Sequence, residues 1–266
     1  MPIAPKKAAM LFILLFGGIL AGALGGLLGI GGGILIMPIL RFIVGLEPAQ
    51  AAGTCVVAVF FTTLGGSLKH FKLGHIDIRS IFPVIVPGLL SSLIFSLLFI
   101  SLTQKDIWLD VATGIVFSLV ALRMLYEGIA DYFHMREETN SKSGIQGSML
   151  AKMSIGGVAG VLPGLLGIGT GAVLVPAFAF ALNAPIKIAI GSSLACFSLN
   201  AFVSSVMKLS QGFVQIQILI PLCLGTLIGS RFGATLNGLV TSPFLKVLFS
   251  MIFIFVACKY LMVFGS

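Results

Sequence analysis

The stretches GGLLGIGGG (residues 25–33) and LLGIGTG (residues 165–171) each sit inside an otherwise apolar run. Glycine runs break helices and leave the backbone without side-chain cover. Sliding the chain along itself until Gly33 lies on Gly171 superposes the two. Residues 22–33 then match 160–171 at nine of twelve positions. The register continues without a gap: Pro38 falls on Pro176, Gly53 on Gly191, Gly74 on Gly212 and Pro83 on Pro221. An internal repeat in a helical membrane chain is a common plan of transporters, with the substrate site at the repeat interface.

Composition sets the solvent. Of 266 residues 58% are hydrophobic and 9% charged, and the mean hydropathy is +1.15. Soluble domains carry about 25% charged residues. Apolar runs at 8–28, 33–46, 49–68, 81–102 and 107–130, with a similar series after 150, reach or approach the length of about 20 residues that a spanning helix needs. The chain therefore reads as an all-α polytopic membrane protein, expected in the plasma (bacterial inner) membrane. The opening run behind Lys6 and Lys7 reads as an uncleaved first helix. Cys55, Cys196, Cys223 and Cys258 stand singly in apolar runs and suggest neither a metal site nor a disulfide; no cofactor is called for. The net charge of +8 is read as setting orientation, with the lipid bilayer and not nucleic acid as partner. A homo-oligomer is compatible with all of this.

Residues 1–130 form a first transmembrane repeat, 131–152 a polar linker and 153–266 a second repeat. The segments 33–46 and 171–182 are short for a crossing, as re-entrant segments are. Four spans per half place Lys6, Lys7, Lys69, Lys72, Arg79, the basic linker, Lys208 and Lys259 on one side, and the positive-inside rule favours that count. The expectation is thus eight spans, parallel repeats and both termini cytoplasmic. Ten spans in inverted 5+5 repeats is the alternative.

A helix starting at Gly33 or Gly171 leaves its first N–H groups unpaired, and its dipole favours an anion there. Gly31, Gly32 and Gly33, with Gly169, Thr170 and Gly171, are the candidate cradle, and Pro38 and Pro176 keep the following backbone irregular. Thr54, Ser192, Ser193 and Asn200 occupy equivalent places after the short segments and are candidates for a polar path. Arg231 lies late in a run whose Gly225, Gly229 and Gly233 share one face for helix packing. It either faces the interior as a substrate cation or snorkels to the headgroups, and Arg41 is read as snorkelling.

At these residues the chain resembles the TauE/SafE sulfite exporter family, also called the 4-toluene sulfonate uptake permease family. The likeness rests on Gly29-Ile-Gly31-Gly-Gly33 with Pro38 and on Gly167-Ile-Gly169-Thr-Gly171 with Pro176, supported by Ala52-Gly53-Thr54, Ile190-Gly191-Ser192, Gly74 and Gly212. The resemblance implies an integral plasma-membrane protein of about eight spans that moves sulfur-containing anions: sulfite, sulfoacetate or other organosulfonates. Thr170 replaces the glycine of the first loop, so the two loops need not be equivalent.

No Asp or Glu lies deep in an apolar run, as a proton-coupled carrier usually has. A negative-inside potential contributes about 2.3 kcal/mol per charge per 100 mV to anion exit, so export is favoured. No Ser–His, paired-Asp or HExxH constellation points to an enzyme. An anion or small-solute channel with paired re-entrant helices is the rival reading.

Overall fold

The computed structural model describes residues 4–103, 106–133, 144–236, 250–251, 254–260 and 262. The described residues are helical, without strands. The order is α1 (Ala4–Leu28), α2 (Gly33–Pro38), a π-helical turn (Ile39–Ile43), α3 (Pro48–Lys72), α4 (Ile78–Leu102) and α5 (Asp106–Phe133). After the connection come α6 (Met149–Leu165), α7 (Gly171–Pro176), a second π-helical turn (Ala177–Ala181), α8 (Ile186–Ser210) and α9 (Ile216–Leu236). Among the described residues, five helices are long and apolar enough to cross a membrane: Met10–Leu28, Pro48–Lys72, Ile78–Ser101, Ile186–Ser210 and Ile216–Leu236. Large apolar side chains such as Phe12, Phe82, Leu119 and Phe232 stand exposed on the outer faces, where water would penalise them and lipid does not. Of the expected linker, 131–133 finish α5 and 149–152 begin α6, and 134–143 lie outside the described residues together with Lys105 and Lys246.

Both short segments are α-helical for six residues and then widen into a π-turn at a proline. Pro38 and Pro176 have no N–H to give to the turn before them, and the turns that follow close with bonds of longer span. Val44 N–H donates to Ile39 O at 2.9 Å and Leu46 N–H to Leu40 O at 3.0 Å; Leu182 to Ala177 and Ala184 to Phe178 repeat the pattern. A π-turn re-aims the chain while keeping backbone groups paired, as a lipid environment demands.

Glycine backbones set the helix packing. A Cβ on Gly18, Gly22 or Gly26 of α1 would strike Leu222, Thr226 or Ser230 of α9, and one on Gly225, Gly229 or Gly233 would strike Leu15, Ile19 or Ala23. The expected packing role of that last triplet is what the structure shows. In the same way Gly156, Gly160 and Gly164 of α6 lie against Val84, Gly88 and Ser92 of α4. The paired numbers rise together, so α1 runs parallel to α9, and α6 to α4.

In the centre α3 meets α8. Val56 O accepts from Ser205 Oγ at 3.3 Å, Phe60 lies 5.5 Å from Phe202 between ring centroids, and Gly66 faces Leu194. Here one number rises as the other falls, so α3 and α8 are antiparallel. These helices are equivalent in the repeat register, and parallel repeats would set them in the same sense. The observed directions are the opposite.

Replacing Gly22 or Gly229 by Val forces a side chain into the α1/α9 contact, and we expect a loss of about 2 kcal/mol of stability. Gly157, against which a Cβ meets nothing within 4 Å, should tolerate alanine with no loss. Thermal unfolding of the purified variants in detergent checks both.

Candidate functional site

The two glycine loops touch each other. A Cβ on Gly33 would come 2.8 Å from Gly169 N, and one on Gly171 would run into Gly29 O and Ile30. The buried Phe197 ring of α8 lies against both loops, at Gly31 and Gly169. The first loop needs its glycines for their backbone angles too: φ is +75° at Gly29, +76° at Gly31 and +73° at Gly32. In the second loop Gly167 keeps a positive φ of 67°, whereas Thr170 has φ −90°. A β-branched residue disfavours the left-handed region, so the threonine and the different conformation go together.

Intrahelical bonding in α2 begins with Leu35 and Ile36 N–H donating to Gly32 O, and in α7 with Val173 and Leu174 N–H donating to Thr170 O. The amides of Gly33, Ile34, Gly171 and Ala172 precede those bonds, as the first amides of any helix do. Thr170 Oγ1 is fully buried at the start of α7 and has no hydrogen-bond partner.

The other sequence candidates divide by location. Pro38 and Pro176 end the short helices. Ser193 donates to Ile190 O at 2.8 Å and reaches Gly29 O at 3.4 Å, which ties α8 to the first loop. The Thr54 hydroxyl accepts from Gln215 N–H at 3.0 Å and the Ser192 hydroxyl from Asp77 N–H at 3.2 Å. These two bonds are equivalent in the repeat register at both ends, and they hold the chain just before α9 and α4. Asn200 lies against Gly88 of α4; its carbonyl O accepts from Ser92, and its side-chain Oδ1 is buried without a partner. Arg231 is exposed on α9 and is not brought to the loops.

Arg41 does not snorkel. Its Nη2 and Nε donate to the two oxygens of Asp110 on α5 at 2.7 and 3.1 Å, and Nη1 donates to Leu46 O at 3.1 Å. Sequence placed Asp110 near a helix end; the fold buries it beside a guanidinium that no sequence spacing linked to it.

Two ionisable groups were read only as loop charges, yet both are buried. His70 in α3 places Nε2 3.3 Å from Gly26 O and Nδ1 3.1 Å from His75 Nδ1. Its twin in the repeat register is Lys208 in α8, fully buried over the Phe99 ring with no hydrogen-bond partner. The repeat register itself was the signal: both twins are basic and lie within long apolar helices.

The connection between α3 and α4 is docked to the segment before α6. Asp77 accepts from Ser80 N–H and Ile145 N–H, both at 3.2 Å. Burial alone would raise its carboxyl, but these bonds and the Lys152 charge hold it below the usual range. Gln146 N–H donates to Leu182 O at 2.9 Å. His75 is held below the ordinary histidine value, first by burial and then by the Lys187 charge.

The family of this chain can be read over nearly its full length. The model of the family described as Sulfite exporter TauE/SafE matches residues 14–260. The chain belongs to the TauE/SafE family. The TauE/SafE chain is 27% identical to the probable membrane transporter protein YunE of Bacillus subtilis (strain 168), covering 93% of this chain and 96% of the relative. A probable membrane transporter protein of Xylella fastidiosa (strain 9a5c) is 31% identical, over 82% of this chain and 84% of its own length. The sulfite exporter TauE/SafE family protein 2 of Arabidopsis thaliana is 34% identical over 44% of this chain and 26% of its own. No solved structure matches the chain significantly. The relatives matched over most of their length are named as probable membrane transporter proteins.

Because its folded form favours the neutral ring, His75 contributes stability that is full above the unfolded histidine value of 6.5 and is lost as pH falls through the lower folded value. Replacing it by Phe, the residue at twin position 213, should flatten the acid side of a melting-temperature profile measured from pH 8 to pH 5.

Proposed function

We propose that this TauE/SafE chain is a carrier for small sulfur-containing anions, sulfite or an organosulfonate, with the anion held where its two glycine loops meet. The observation that carries the reading is the Thr170 hydroxyl, buried and unpartnered at the start of α7 beside the loop contact. A buried polar group without a partner costs stability unless something completes it. The first amides of α2 and α7 are donors that suit an oxyanion, and the glycines at 33 and 171 put no side chain beside them.

The fold we propose for the carrier is two inverted repeats of five segments, each short α-plus-π element counting as one crossing. The antiparallel α3/α8 pair and the reciprocal Thr54–Gln215 and Ser192–Asp77 bonds support it. Counted that way, Lys69, Lys72, Arg79, Lys152 and Lys187 gather on the face where Asp77 meets Ile145 and Gln146 meets Leu182. The opposite face holds Lys6, Lys7, Arg41, Lys208 and Lys259, with Arg41 neutralised by Asp110 and Lys208 buried. The positive-inside rule then sets the Lys69–Lys187 face in the cytoplasm and both termini outside. This reverses the orientation that eight parallel spans imply. Export is the direction we assign, since the membrane potential drives an anion outward unaided.

Sulfite flux into or out of proteoliposomes tests the site. Thr170→Val keeps the shape and removes the hydroxyl; we expect KM to rise about tenfold, as for one lost hydrogen bond of about 1.4 kcal/mol, with no loss of melting temperature and with recovery in Thr170→Ser. Unchanged kinetics in Thr170→Val would remove the loop site. A reporter fused after Ser266 in intact cells decides the orientation: an extracytoplasmic signal is expected, and a cytoplasmic one would restore the opposite sidedness.

A further inference from the structure

Lys208 is the one fully buried lysine among the described residues, and its amine has no hydrogen-bond partner. Its Nζ lies over the face of Phe99, and no hydrogen-bond acceptor is in reach. One turn further along, Gln211 donates Nε2 to Ser96 O at 2.9 Å, while its Oε1 is buried and has no partner either. Phe213 closes the site edge-on against Phe99, with ring centroids 5.3 Å apart. A donor and an acceptor, one helical turn apart in the chain, are therefore both left without a hydrogen-bond partner.

The two groups end a polar seam. Asn200, Ser204, Lys208 and Gln211 follow each other on the α8 face that meets α4, at a spacing of about one helical turn. Across from them, Ser92 Oγ lies 2.7 Å and Ser96 Oγ 3.2 Å from Ser204 Oγ. The deep end of the seam is Asn200, whose Oδ1 is also open. The twins of Thr170 and Asn200, Gly32 and Thr62, are neighbours, a Cβ on Gly32 falling 3.4 Å from Thr62 Cγ2. By the repeat register Asn200 is the seam residue that corresponds to this loop neighbour. The equivalent seam on α3 has no counterpart to it: Thr62 there bonds its own helix at Ala58 O, position 66 is glycine, and His70 is bonded to Gly26 O.

Resting on the transport reading above, we propose that Lys208 is a second anion-binding station, at the end of the α4/α8 seam away from the linker, and that it takes a small oxyanion still carrying one proton. Lys208 Nζ donates to the charged oxygens and Gln211 Oε1 accepts from the hydroxyl. One ammonium neutralises one negative charge, so a hydrogen-bearing monoanion such as hydrogen sulfite leaves no excess charge in the seam. A dianion would leave one. The serine hydroxyls continue the seam from this station to Asn200.

The test uses the full chain. Melting temperature in detergent at pH 6.5 is measured with sodium sulfite, sodium sulfate or sodium chloride, and sulfite flux is measured in proteoliposomes, for the parent protein, Lys208→Met and Lys208→Arg. Sulfite should raise the parent's melting temperature, and sulfate and chloride should not. Lys208→Met should be as stable as the parent or more so without anion, because an unpartnered amine has been replaced by an apolar chain of similar length. It should nevertheless lose the sulfite shift and show KM raised at least tenfold, with partial recovery in Lys208→Arg. A parent that transports sulfite beside a Lys208→Met variant with unchanged KM and unchanged shift overturns this station and leaves the transport reading standing. Equal protection by sulfate overturns the protonated-ligand assignment. A parent with neither shift nor flux overturns the transport reading and this proposal together.

Discussion

Close contact between glycine backbones is the constraint on which the rest of the molecule depends. Lipid gives no hydrophobic drive for helices to associate, so contact area and close approach must supply it. On α1 and α9 each helix sets glycines against the other's backbone, Gly22 against Thr226 and Gly229 against Ile19. On α4 and α6 the contact runs through Gly156, Gly160 and Gly164. These two parallel pairs tie the first half of the chain to the second. Each helix that precedes a glycine loop is thereby packed against a helix from the other half, which brings the loops together.

With the helices fixed that tightly, the broken segments can be irregular at modest cost. Prolines 38 and 176 remove one backbone donor each, and the π-turns that follow them pair their own carbonyls over a longer span. Backbone groups in a membrane tolerate irregularity where protein surrounds them. Thr54 and Ser192 perform a related task, satisfying the amides of Gln215 and Asp77 where the chain turns into α9 and α4. Residues that sequence offered as a polar path are, for those two hydroxyls, joints between halves.

Within this matched frame the halves differ at their polar points. Thr170 stands where the first loop has Gly32, and its hydroxyl is open. Lys208 stands where the first half has His70, and its amine is open while the imidazole is bonded to Gly26 O. A carrier built from two equal halves would present the same chemistry to both sides. Here the open donors belong to the second half, and the bonded pair of histidines to the first.

The membrane class, the helical content, the two glycine loops with their prolines and the family were legible in the residues themselves. They follow from composition, from run length and from the match of one half of the chain to the other, all local or linear properties. The separation of α2 from its π-turn was half legible, since proline marks the break but not the bonds that repair it. Three matters needed the tertiary structure. Helix direction was one: a segment as short as Gly33–Ile43 can turn back or pass through, and only the order of contacts between α3 and α8 distinguishes these. The ion pair of Arg41 with Asp110 was another, because 69 residues separate partners that sequence had put at two unrelated helix ends. The burial of His70 and Lys208 was the third. A basic residue near the end of an apolar run extends to solvent or turns inward according to what packs on that face, and in this protein Gly26 and Phe99 lie there.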